Sequence, residues 1–312
     1  MILLDSSLNL EPFRQIDQVI SGEGFIAPPS SAYIQRLQAA LSEPVPLTLL
    51  IADRLRQLKG KHVSLFTGFV VPKLYPRGEN DGPLGTLALA RTLKRCGLIP
   101  TIWVDPPLLE NAMWLAAELG VELDIHSIDL DLLGQVTPPA TALAIEKPGR
   151  NAQGVMHTFD GIAIDGGSIP IDDLFMQWQT AGTLTIGIGD RGNEVGFGNL
   201  AKTVAQLLPV SATCRCGCGG GVVSVTPSQL FLPAAVSNWG AYGIAAALAI
   251  LERDGRLLYL PDEEERLLHV AAVRGCVDGV RRQSGFGVDG LGGRVSIAIV
   301  QELRTIAQTA LQ

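Results

Sequence analysis

From Lys61 onward, short apolar runs of strand composition alternate with longer helix-patterned stretches. This alternation constrains the fold more than any other property of the chain. KHVSLFTG, LIPTIWVD, VELDIHS, TALAIE, FDGIAIDG, TLTIGIGD and GVVSVTP read as strands. LGTLALARTLKRC, LLENAMWLAAELG and the stretches Ile171 to Gln179, Glu194 to Leu208 and Ser237 to Leu251 read as helices. Strands apolar on both faces and separated by helices predict an α/β fold, with a mostly parallel open sheet flanked by helices. Pro83 suits the first turn of its helix, where a missing N–H costs nothing. Toward the end, PDEEERLLHVAAV reads as a helix whose acidic run is its first turn and solvated face rather than a metal site.

The first 60 residues follow another rhythm. Ser30 to Leu41 and Leu47 to Leu58 are amphipathic helical segments separated by Pro44 and Pro46. They predict a helical N-terminal cap or lead-in over residues 1–60, joined to an α/β catalytic domain over 61–312 in one compact unit. The preceding GEGFIAPPS is a loop that either anchors the chain or edges a site.

Composition narrows the function classes. A net charge of −7 argues against a nucleic-acid surface, which needs concentrated positive charge. The apolar segments are too short to cross a bilayer and the N-terminus lacks the pattern of a secretory signal, so a cytoplasmic protein with no membrane partner is expected. Five cysteines in 312 residues make no disulfide scaffold. Cys214, Cys216 and Cys218 form two overlapping C-x-C pairs, a poor spacing for one zinc site, and read as reduced turn cysteines. The four histidines are dispersed; His157 is the one of note and reads as non-catalytic.

Chemistry is expected where strands end in acidic, glycine-studded turns, because backbone N–H groups and short side chains converge outside the carboxyl edge of an open sheet. The strongest such turn is GDRGNEVGFG. Gly189, Gly192, Gly196 and Gly198 permit close backbone approach, while Asp190, Asn193 and Glu194 supply oxygen ligands or a general base. Asp81 in ENDGP either caps the following helix or contacts a ligand. Glu146 and Lys147 in EKPGR can hold a metal or amine and a substrate carboxylate respectively, and Asp165 follows another apolar run. Asn238 and Trp239 open the long apolar helix, and Asp278 and Arg281 lie in a late glycine-rich region that can close over the site. Carboxylate and amide oxygens suit magnesium or manganese. The GDRGNEVGFG turn does not match the Walker pattern ending G-K-S/T, nor does it supply the ordered G-x-G-x-x-G fingerprint following a first strand, so no nucleotide cofactor is expected.

In combination, TGF…ENDGPLGTLALARTL, EKPG, FDGIAIDGG, GIGDRGNEVGFGN, SNWGAYG and CVDGV resemble the D-glutamate cyclase family's C-terminal-type domain, from about Lys61 to Val280. The resemblance implies a lyase converting D-glutamate to 5-oxo-D-proline and water. It implies roles for Asp81, Glu146, Lys147, Asp165, Asp190, Asn193, Glu194, Asn238 and Asp278. Asp190 or Glu194 would take the ammonium proton, and Lys147 would anchor the α-carboxylate. Asn238 would orient the amine, and some of Asp81, Asp165, Asp190 and Glu194 would hold the cation. The family-like turn more usually reads GDGGNE, so Arg191 is a departure. The partner is a small amino acid, with a homo-oligomer left open. Two alternatives stand beside the cyclase: a magnesium-dependent phosphate- or nucleotide-binding transferase, and a non-catalytic amino-acid-binding regulatory protein.

Overall fold

In the computed structural model, which describes residues 8–27 and 29–312, a six-stranded parallel sheet forms the centre. Its strands are β1 (His62–Thr67), β2 (Ile99–Val104), β3 (Asp124–Ser127), β4 (Thr141–Ile145), β5 (Leu184–Gly189) and β6 (Leu230–Pro233). They lie in the order β3-β2-β1-β4-β5-β6. This is the doubly wound arrangement: the chain works outward from β1 to one edge, then returns to β1's other side at β4.

Period-2 alternation along the strands explains the two faces. Val63 and Leu65 of β1 and Leu143 and Ile145 of β4 point into the larger core. Their neighbours Phe66, Ala142 and Ala144 point into a smaller one. The larger core takes α1 (Glu11–Ile20), α3 (Leu47–Arg56), α4 (Pro83–Arg95), α5 (Leu109–Glu118), α9 (Ser237–Glu252), α10 (Pro261–Val273) and α11 (Gly293–Ala310). The smaller core is closed by α6 (Leu130–Leu133) and α7 (Asp172–Thr180) through Leu133, Phe175 and Trp178. Elsewhere α2 (Ser30–Ala40) and α8 (Ala201–Leu207) meet through Ile34, Leu37, Leu200 and Val204. A two-residue hairpin, β7 (Gly287–Val288) and β8 (Leu291–Gly292), precedes α11.

The helical start is confirmed, and it extends further than the sequence suggested. Phe13, Ile16 and Ile20 of α1 are fully buried in the same core as the strands. Asp17 of α1 caps α3, accepting from the Leu47 and Thr48 backbone N–H groups at 2.6 and 3.1 Å. No helix among the described residues is long and apolar enough to span a membrane.

Two expected strands are absent as such. FDGIAIDG and GVVSVTP run as loops carrying only isolated bridges, such as His157 to Ala163. Their glycines and Asp-Gly pairs favour turns over continuous pairing. The sixth strand is instead LFLP, whose terminal Pro233 is tolerated at the sheet edge. Nor does a helix begin at Glu194; the chain stays in a turn through Leu200 and α8 begins at Ala201.

Candidate functional site

Parallel registry brings the carboxyl ends of three central strands level, with Thr67 beside Ile145 and Ile145 beside Ile188. The connections from β1 and β4 leave in opposite directions there, opening the crevice in which such sheets hold ligands. Glu146 is the first residue after β4 and has φ +46, a left-handed conformation uncommon for a non-glycine residue. Gly82, at φ +90, makes room beside it. A Cβ on that glycine would lie 2.7 Å from both Glu146 Cβ and Thr67 Oγ1.

Asp81 is held in the crevice by a distant helix. Its carboxylate accepts from the Ser237 and Asn238 backbone N–H groups at 3.0 and 2.8 Å, capping α9 rather than the helix it precedes. A carboxylate there gains from the orphan donors and the positive end of the helix dipole. Ser237 Oγ donates to Glu146 Oε2 at 2.6 Å, so one helix start orients two carboxylates.

Following β5, the GDRGNE turn is organised by Glu194. That carboxylate accepts from the backbone N–H groups of Asp190, Arg191 and Gly192 at 3.3, 3.1 and 2.8 Å. EKPG runs alongside: Gly149 N–H donates to Asn193 O, and Val195 N–H to Lys147 O, both at 2.9 Å. The four glycines of this turn serve packing against protein. Cβ atoms on Gly189, Gly196 and Gly198 would lie 2.4–2.7 Å from Phe197, Phe231 and the Val225 carbonyl, and one on Gly192 would meet Val204 at 3.0 Å.

Asp81, Glu146 and Asp190 each place a carboxylate oxygen within 4.8 Å of the others, and all three are buried. Burial pushes Asp81 up to about 7 and raises Glu146 and Asp190 well above the usual carboxylate range. Mutual repulsion adds to the effect, and Glu79 and Asp289 are raised likewise. Two unit charges about 4 Å apart cost ~4 kcal/mol at an effective dielectric of about 20, so the group must hold protons or a cation. Asp190 Oδ1, Asn193 Oδ1, Asn80 Oδ1 and Thr67 Oγ1 are buried without a hydrogen-bond partner among the described residues. An oxygen-rich, sulfur-free donor set of this kind fits a hard divalent cation.

A cavity of about 330 Å³ reaches this group at Asp190, while Asp81 and Glu146 lie behind its lining. Asp190, Arg191 and Asp289 line it on one side; Ile26, Tyr33 and Ile34 from the N-terminal segment line it on another, with Ile26, Pro29 and Ser30 the part of GEGFIAPPS that borders the cavity. Arg191 reaches Asp289 at 2.5 Å and Asp190 at 3.4 Å and lies over the Phe159 ring at 4.6 Å. The Tyr33 hydroxyl, buried and without a partner, is raised by desolvation and by the Glu194 and Asp190 charges.

Other expected residues are placed differently. Lys147 is fully buried with its ammonium 2.6 Å from both Asp105 carboxylate oxygens. Asn238 accepts from Gly85 N–H at 2.7 Å and donates to Asn80 O at 3.0 Å, tying α4 to α9. Asp278 accepts from Val280, Arg281 and Gly290 backbone N–H groups and fixes a turn. Asp165 is exposed and stands outside the carboxylate group. Sequence reading singled out neither Asp105 nor Asp289. Asp105 follows β2 as Asp190 follows β5, a signal available in LIPTIWVD; Asp289 sits in GVDG, one turn among many.

A family profile described as D-glutamate cyclase-like, C-terminal, matches residues 36–304. Human mitochondrial D-glutamate cyclase is 30% identical over 196 residues, which cover 56% of this chain and 30% of that protein. The chain therefore matches less than a third of its relative's length.

Proposed function

We propose, from the premise that the chain belongs to the D-glutamate cyclase-like, C-terminal family, that this cavity closes D-glutamate to 5-oxo-D-proline and water. The observation that carries the reading is the meeting of Asp190, with a carboxylate oxygen that has no partner among the described residues, and Arg191 on one wall of a largely apolar cavity. Ring closure forms a bond between the amine nitrogen and the side-chain carboxyl carbon and breaks one C–O bond at that carbon. Two of the three ammonium protons leave on the departing oxygen as water. A buried carboxylate whose proton affinity is raised toward neutrality can take the first proton and return it to the leaving oxygen. Asp190 fits that task by position and by the direction of its shift.

Arg191 takes the anchoring role expected of Lys147, because it faces the cavity while Lys147 is committed to Asp105. Its planar fork suits the α-carboxylate of the substrate. Tyr33 and the apolar wall exclude water and hold the folded substrate, in which amine and carboxyl carbon must meet. Asp81 and Glu146, each within 4.8 Å of Asp190, would hold magnesium or manganese and leave Asp190 to the proton. When bound, that cation supplies charge neutralisation for the attacked carboxylate.

An NMR time course with D-glutamate, L-glutamate and a no-enzyme control, with and without manganese or magnesium, tests the proposal. Stereoselective appearance of 5-oxoproline supports it. Folded, cation-loaded protein that binds D-glutamate in calorimetry without consuming it would assign the cavity to amino-acid binding alone. Saturable binding of ATP with magnesium would move it to the transferase reading.

A further inference from the structure

CRCGCGG reads as reduced turn cysteines, and in the fold the three are free but gathered with a fourth donor. His157, in the loop between the β4 end and α7, brings a ring nitrogen into the cysteine turn. The donor atoms of His157, Cys214, Cys216 and Cys218 all lie within 4.8 Å of one another. Cys214 Sγ is 3.4 Å from both Cys216 Sγ and Cys218 Sγ, and His157 Nε2 is 3.1 and 4.0 Å from Cys216 and Cys218 Sγ. None of the cysteines is disulfide-bonded. A tetrahedral zinc with Zn–S about 2.3 Å and Zn–N about 2.0 Å spaces its donors roughly 3.5–3.8 Å apart, close to this arrangement.

We propose that His157, Cys214, Cys216 and Cys218 form a structural zinc site, separate in place and chemistry from the carboxylate cavity. The C-x-C-x-C spacing is met by local backbone geometry, since Gly217 and Gly219 both sit at φ +77 and turn the chain around the sulfurs. Asn151 Nδ2 donates to Cys218 Sγ at 3.3 Å and Gly220 N–H to the same sulfur at 3.4 Å, contacts that favour a thiolate. Three sulfurs and an imidazole make a soft, borderline donor set that selects zinc over magnesium or manganese, and four protein donors leave no open position for catalysis.

The site has a mechanical task. It joins the 151–164 loop to the 213–221 loop, which also meet where Arg215 N–H donates to Gly161 O at 2.8 Å. The His157 carbonyl accepts from Asn193 Nδ2 at 3.0 Å, so the clamp reaches the acidic turn itself. Phe159, two residues on, lines the cavity beneath Arg191.

Elemental analysis of protein purified under reducing conditions should find about one zinc per chain, without added metal in the final buffer. Replacement by cobalt(II) should give thiolate-to-metal charge-transfer absorption. In His157→Ala and in Cys214→Ser/Cys218→Ser, zinc should fall below about a tenth of an equivalent. The wild-type measurement stands whether or not those variants fold. Zinc below a tenth of an equivalent (roughly the level of trace contamination), after refolding in excess zinc, would overturn the proposal. So would iron in place of zinc, or a two-dalton mass loss showing a disulfide among the three cysteines. None of these readouts depends on cyclase activity, so the zinc site and the proposed reaction fail or stand separately.

Discussion

Lys147 and Arg191 are both cations beside the acidic turn, and hydrogen-bond partners decide between them. Lys147 has spent its ammonium on Asp105 in a fully buried pair; Arg191 shares its guanidinium between Asp190 and Asp289 at the cavity wall. Arg191→Gln should therefore raise the KM for D-glutamate roughly 10- to 100-fold in a folded protein, the value of a lost charge-assisted contact. Lys147→Met should instead destabilise the fold by about 3–5 kcal/mol, because Asp105 is left buried and unpaired. Denaturant titrations beside steady-state kinetics check both, and a stable Lys147→Met with a raised KM would return the anchor to Lys147. Asp190 and Glu146 were legible as candidate site residues because each follows an apolar strand directly. The partners of Asn238 and Lys147 were not, since they come from elements distant in sequence. The meeting of His157 with the cysteines was hidden for the same reason, as local spacing rules see only the cysteines.

Helix capping across elements is the recurring device one level up. Asp81 caps α9, and Asp17 caps α3 from α1. Desolvation raises Asp17 to about 6 despite the N–H and hydroxyl donors that oppose it. The folded state then binds more protons than the unfolded chain between about pH 4 and pH 6, so ionising Asp17 costs stability as pH rises through that window. Asp17→Asn retains one acceptor and cannot ionise. Relative to wild type it should gain about 1–3 kcal/mol on going from pH 4 to pH 7, read by urea denaturation at both values. An unchanged difference would show that Asp17 titrates normally. Most strands and helices were legible from apolar runs and their period. β6 was not, because four residues ending in proline resemble a turn; α1 went unassigned amid the polar residues of its exposed face.

At the scale of the molecule, the strand order places β1 and β4 side by side and so creates the crevice, a non-local outcome that a list of strands does not contain. The membership of α1 and α3 in the main core leads us to propose that residues 1–60 are an integral part of the catalytic unit. A chain beginning at Lys61 would lack Phe13, Ile16, Ile20, Leu49 and Ile51, each fully buried. At about 2–5 kcal/mol for each large core side chain lost, it should show no cooperative melting by circular dichroism. A sharp transition would mark an autonomous 61–312 domain. The cavity itself is assembled from segments far apart in sequence, with Ile26, Tyr33 and Ile34 on one wall and Asp190, Arg191 and Asp289 facing them. During synthesis the first wall leaves the ribosome long before the residues that complete it. A growing chain therefore has no closed cavity until Asp289 has followed Ile26 out of the ribosome.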